Sequence, residues 1–239
     1  MESTVNDKKD CSVGLSKYVL PIKMLNQKDS GVNLISTINC FVSGMISNSD
    51  VTGVMIDLFH DFNKDDWDNE AIVNFLKTLQ MRTNSSQAHL GFEFLYPVPS
   101  RDRGIRYFPC KLDCSAKGSR VKFSLNISME LPAYFYVGEK LFSTVGVVKV
   151  SVHFDSVGGV FVDEIVELIE GSVRKFYSDV DWSCDSRVGV FTDSISNDLN
   201  KSERIIDYSI SCEHFSHELG FNVVKNISKG IVGGIRVGS

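Results

Sequence analysis

The densest group of side chains able to hold a metal is Glu213-His214-Phe215-Ser216-His217-Glu218. On a helix, His214 and His217 would share one face at a spacing that suits a divalent ion. The pattern is neither His-Glu-x-x-His nor its inverse, and no third ligand stands at a recognised distance. Imidazoles beside the negative end of a helix are the alternative. Of the six cysteines, only Cys110 and Cys114 lie close together. Three residues between them fit neither a Cys-x-x-Cys redox pair nor a zinc site, which needs a second pair. Glu130 could act as an acid or base if it faces a pocket, although alternation with Met129 also allows a surface carboxylate at a strand end. The histidines have no nucleophile at a spacing that would suggest a hydrolytic triad. Gly158-Gly159 and Gly233-Gly234 read as turns without a phosphate-loop context.

Strict alternation dominates the segments that must position these groups. Val121, Phe123, Leu125, Ile127 and Met129 alternate with polar residues, as do Val148, Val150, Val152 and Phe154. Such a period of two marks half-buried strands of an antiparallel sheet. Residues 90–96 form another strand, stopped by Pro97-Val98-Pro99. Further strands are expected at 32–42, 51–59, 105–112, 221–225 and 231–237. Three segments carry helical spacing instead. They are 68–82, with Ile72, Phe75, Leu76 and Leu79 on one face; 162–177; and a third running from a cap at Ser202 to Leu219, stopped by Gly220. Between the second and third of these helices the chain reads as an acidic loop.

Composition sets the outer limits. Among 239 residues, 43% are hydrophobic and 23% charged, ordinary for a globular chain long enough to bury a core. A formal charge of −5 argues against a nucleic-acid surface spread over the whole molecule. No apolar run approaches the roughly 20 residues that span a bilayer, and residues 1–12 lack the apolar segment of a secretory signal. Scattered cysteines then fit reduced thiols in a cytoplasmic protein. Three glycosylation sequons, at Asn84, Asn126 and Asn226, carry weight only in an exported chain.

Several segments in register give the C-terminal third a family likeness. The run Val160 to Glu170 followed by Tyr177 is similar to a Trp-Ile-Glu-Asp-Leu-Ile helix ending in Leu-Tyr. Asp185-Ser186-Arg187 and Phe191-Thr192-Asp193 fall where that family has Asp-Glu-Lys and Val-Thr-Glu. In these features the chain resembles type IB GTP cyclohydrolases of the tunnelling-fold superfamily. The resemblance implies an α+β fold of two tunnelling-fold-like units, each an antiparallel sheet with helices on one face, assembling into an oligomeric barrel. It assigns residues 1–16 to a flexible tail, 17–114 to the first unit and 115–239 to the second. It also implies a substrate contact at Glu203, ten residues after Asp193, where the family's glutamate anchors the guanine edge. A carboxylate suits that task, since it accepts two parallel hydrogen bonds from a purine or pterin ring.

The family's metal ligands are missing. Its Cys-Pro-Cys becomes Leu131-Pro132-Ala133, its Ala-His-Asn-Gln-Arg histidine becomes Ser143, the glutamate of Asp-Glu-Lys becomes Ser186, and Asn226 to Gly230 holds no histidine. Without ligands no metal can lower the pKa of water for ring opening, so the expectation is a protein with no metal or other cofactor. It would bind a purine- or pterin-like molecule, with altered or lost activity, as a homo-oligomer or beside a paralogous subunit. A non-catalytic structural or regulatory subunit and an enzyme with a metal relocated to His214 and His217 are the alternatives.

Overall fold

The computed structural model describes residues 11–26, 31–44, 46, 50–100, 104–137, 140–155, 160–178, 186–216, 221–232 and 235–237. Within them the chain forms β1 (Cys11–Leu25), β2 (Gly31–Gly44), α1 (Val51–Phe62), α2 (Asn69–Thr83), β3 (Gln87–Ser100) and β4 (Gly104–Lys117). The order then repeats as β5 (Arg120–Val137), β6 (Lys140–Asp155), α3 (Val162–Ser178), α4 (Ser186–Asn200), β7 (Asp207–Ser216) and β8 (Phe221–Val232), with a short β9 (Ile235–Val237) at the end. All neighbouring strands run antiparallel, and the strands lie side by side in chain order. The join between the two halves is a two-residue hairpin at Gly118, whose φ of 58 lies in the left-handed region that such tight turns require.

One face of the sheet is apolar and carries the helices. Along β2, Leu34, Ile38, Cys40 and Val42 are buried; β3 adds Leu90, Phe92 and Phe94, and β5 adds Phe123, Leu125 and Ile127. Helix α1 packs on β1, α2 on β3 and β4, and α4 on β7 and β8. At the centre of the first half, Trp67 stands 5.5 Å from Phe75 and 5.2 Å from Phe92 between ring centroids. Its indole N–H donates to Asn63 Oδ1 at 3.2 Å, so the one polar atom of the ring is satisfied. In the second half, Phe123 and Phe154 stack across β5 and β6 at 5.1 Å.

Four readings of the sequence are corrected. Residues 51–59, expected as a strand because of their branched side chains, form α1. The Asp50 side chain accepts from Gly53 N at 2.9 Å, and the buried residues Val51, Met55, Leu58 and Phe59 follow helical spacing. The expected acidic loop is largely α4, which buries Thr192, Ile195 and Leu199 on one stripe. The expected helix 202–219 is a turn followed by β7, with Tyr208, Ile210 and Cys212 buried in alternation; positions 217–219 lie outside the described residues. Strand β1 starts at Cys11, inside the segment expected as a tail.

Candidate functional site

Among the described residues, the second face of the sheet carries no helix, and alternation places polar residues on it. Its middle holds a charged group assembled from two neighbouring strands. Asp113 on β4 lies 3.5 Å (Oδ1) from His89 Nε2 on β3 and 3.4 Å (Oδ2) from Lys111 Nζ, and Lys111 also reaches Glu93 Oε1 at 3.8 Å. Partial burial alone would raise the Asp113 carboxyl. The hydrogen bond from His89 and the charge of Lys111 outweigh that effect and hold it below its usual value. A carboxylate beside an imidazole fixes the orientation of the ring. The His89 ring in turn stacks with Phe41 of β2, centroids 6.4 Å apart.

Gly91 leaves room for this arrangement. It stands opposite Asp113 in the ladder, and a Cβ there would meet Asp113 Oδ1 at 3.0 Å and His89 Nε2 at 3.6 Å. Any larger residue would push the carboxylate aside.

The edge of the same face carries a strained position. The β1–β2 ladder breaks between Leu15 and Tyr18, and within that bulge Lys17 has φ 57. The other described non-glycine residue at positive φ, Asn84, caps α2, a role that asparagine performs routinely. Lysine has no such excuse. Asn39 of β2 pins the bulge: its Oδ1 accepts from the Lys17 backbone N–H at 3.1 Å and from Ser16 Oγ at 3.0 Å. Asn39 is itself the ladder partner of Gly91, which places the bulge beside the charged group. Backbone strain held by a dedicated side chain is a mark of functional positions.

The residues singled out from sequence are spread apart. Glu203 is exposed in the turn between α4 and β7 rather than at a helix start. Its neighbour Arg204 bonds Glu164 on α3 and ties the turn to that helix. His214 stands on β7, which removes the helical face it was to share, and His217 lies outside the described residues. Cys110 and Cys114 lie on the same buried face of β4. Four strand residues separate their Cα atoms by about 13 Å, too far for a disulfide, and burial pushes the Cys110 thiol up to about 12. Glu130 is exposed on the open face, across the ladder from Val147. The side chains at Leu131 to Ala133, Ser143 and Ser186 lie outside those described. Among the described residues, no group of three or more His, Cys, Asp and Glu side chains could hold a metal ion, and no helix is long and apolar enough to cross a membrane.

Sequence reasoning missed Lys17, Asn39, His89 and Asp113. The signal for the last three was the odd-numbered positions of β2, β3 and β4, which alternation assigns to a single face.

No family model matches the chain, and no curated protein matches it. Solved structures do. Uricase from Arthrobacter globiformis superposes with a TM-score of 0.61 at 9% identity, covering 96% of this chain and 96% of that one. Urate oxidase from Bacillus subtilis gives 0.54 at 10% identity, covering 91% and 98%. The chain therefore has an α+β fold of the tunnelling type, as expected. The resemblance to GTP cyclohydrolases, with the guanine- or pterin-binding protein it implied, is overturned: the matching structures are uricases, and the helix expected to open beside Glu203 is absent.

Proposed function

We propose that the chain is an oligomeric purine-binding protein that takes a flat, urate-like ring at the bulge around Lys17. One observation carries this reading: a lysine is held in a left-handed conformation by Asn39, in a fold shared with uricases over more than nine-tenths of the chain. Urate is an anion at neutral pH, rimmed with N–H and C=O groups. An ammonium carried on a backbone pinned at the strand edge offers it charge and donors together.

The edge geometry favours assembly. Among the described residues, Trp67 and Asn63 cover the outer side of β1 toward its end: the Trp67 backbone N–H donates to the Lys23 carbonyl at 2.6 Å, its backbone carbonyl accepts from Leu25 N at 3.0 Å, and Asn63 Nδ2 donates to the Pro21 carbonyl at 2.9 Å. The strand before these contacts would offer its edge to a second copy, and closure would cover it. Lys17 then lies at a subunit boundary. Two units, residues 17–114 and 115–239, and a cytoplasmic setting belong to the same proposal. Glu203, exposed in the protomer, enters it as a carboxylate that meets the ring from an adjacent copy.

Calorimetric titration with urate and with xanthine tests the reading, beside native mass measurement of the assembly. Lys17→Met should weaken urate binding about tenfold or more, equivalent to at least ~1.4 kcal/mol, with mass and fold unchanged. Glu203→Ala should also weaken it. An oligomeric wild-type protein that binds neither purine at millimolar concentration would reject the proposal.

A further inference from the structure

Across the ladders of the open face, two adjacent rows run from an aromatic end to a cationic end. Phe41, His89, Ser115 and Lys122 face one another on β2, β3, β4 and β5; the next row is Ser43, Gln87, Lys117 and Arg120. Together they line a cavity of about 590 Å³, within the size range of small-molecule sites. No carboxylate is among its lining residues, and Lys117, Arg120 and Lys122 are all exposed to it. Elsewhere on the described surface, Lys23, Lys111, Lys201, Arg106 and Arg204 each pair with an acid. Asp113 already accompanies His89, and Asp155 stands opposite Lys122 in the ladder, so the three cations at this end face one carboxylate.

From Phe41 to Lys122 is three strand spacings, roughly 14 Å. We infer that this cavity binds a free mononucleotide, with its base against the stacked Phe41 and His89 rings and its phosphate among Lys117, Arg120 and Lys122. Aromatic faces accept any base by stacking, and a cluster of three cations selects a dianion over a neutral nucleoside. The site goes beyond the purine reading at Lys17 and does not depend on it.

Calorimetry with adenosine 5′-monophosphate on the full-length protein tests the inference. Saturable sub-millimolar binding is expected, weakened at least tenfold in the exposed-residue variant Lys117→Gln/Arg120→Gln/Lys122→Gln and several-fold in Phe41→Leu. Adenosine and inorganic phosphate, each alone, should bind at least tenfold more weakly. Lys17→Met should leave mononucleotide affinity intact, and the triple variant should leave urate affinity intact, which separates the two sites. Absence of binding overturns the inference. So does phosphate or adenosine binding as tightly as the mononucleotide, or a single-stranded oligonucleotide binding more than tenfold more tightly.

Discussion

Replacing Lys17 with glycine should stabilise the fold while removing the proposed ligand contact. A non-glycine residue in the left-handed region loses roughly 1–2 kcal/mol to the clash between Cβ and the following carbonyl. Glycine escapes that clash but gives up about 0.5–1 kcal/mol through the greater freedom of its unfolded chain. Because Lys17 is exposed, its side chain contributes little packing to offset the difference. The balance is a gain of roughly 0–1.5 kcal/mol, centred near 0.5–1. For a chain of this size that raises Tm by about 1–4 °C. Differential scanning calorimetry reads the shift, and urate titration on the same sample should show affinity reduced at least tenfold. Two controls bracket the result. Lys17→Ala keeps the strain and loses the ammonium, so binding falls without a gain in Tm. Asn84→Gly relieves a residue that already tolerates this conformation, and should change Tm by only a few tenths of a degree to about one degree. A Lys17→Gly protein destabilised by more than about 1 kcal/mol would refute the strained bulge. Undiminished urate affinity in that variant would refute the role given to the side chain.

Trp67→Ala should lose about 3–5 kcal/mol in a urea titration, because it empties the centre of the first-half core and strips Asn63 of its indole donor; a loss under ~1 kcal/mol would mean that the cluster is loosely packed. Gly91→Ala should displace the Asp113 carboxylate, visible as a change in the His89 imidazole chemical shifts by NMR with the fold retained. Asp113 has a depressed folded-state pKa, so its contribution is present above the unfolded value and is lost as pH falls through the folded one. Wild type should therefore lose more stability than Asp113→Asn on acidification below about pH 4, and parallel acid profiles would remove the proposed pairing. With Cys11 and Cys184 replaced by serine, the protein should stay inert to a thiol reagent until unfolded, since Cys40, Cys110, Cys114 and Cys212 are all buried and burial raises Cys40 and Cys110 to about 12.

The alternation of Val121 to Met129 and of Val148 to Phe154 by itself determined an antiparallel sheet with one apolar face, because a period of two leaves a strand no other way to hide its large residues. The spacing of Ile72, Phe75, Leu76 and Leu79 did the same for α2. Local signals were weaker where propensity and pattern disagreed. Val51 to Phe59 is rich in branched residues yet helical, because Asp50 caps it and the sheet buries one stripe. Asp207 to Glu213 is strand because β6 and β8 flank it. The site was decided at a longer range. Asn39, His89 and Asp113 come from three strands, and Lys17 from a fourth; only ladder register brings them side by side. A bulge that sets Lys17 at positive φ leaves no trace in residue type, since lysine is no more disposed to that conformation than its neighbours. Tertiary pairing imposes it there, through one asparagine oxygen that accepts two bonds.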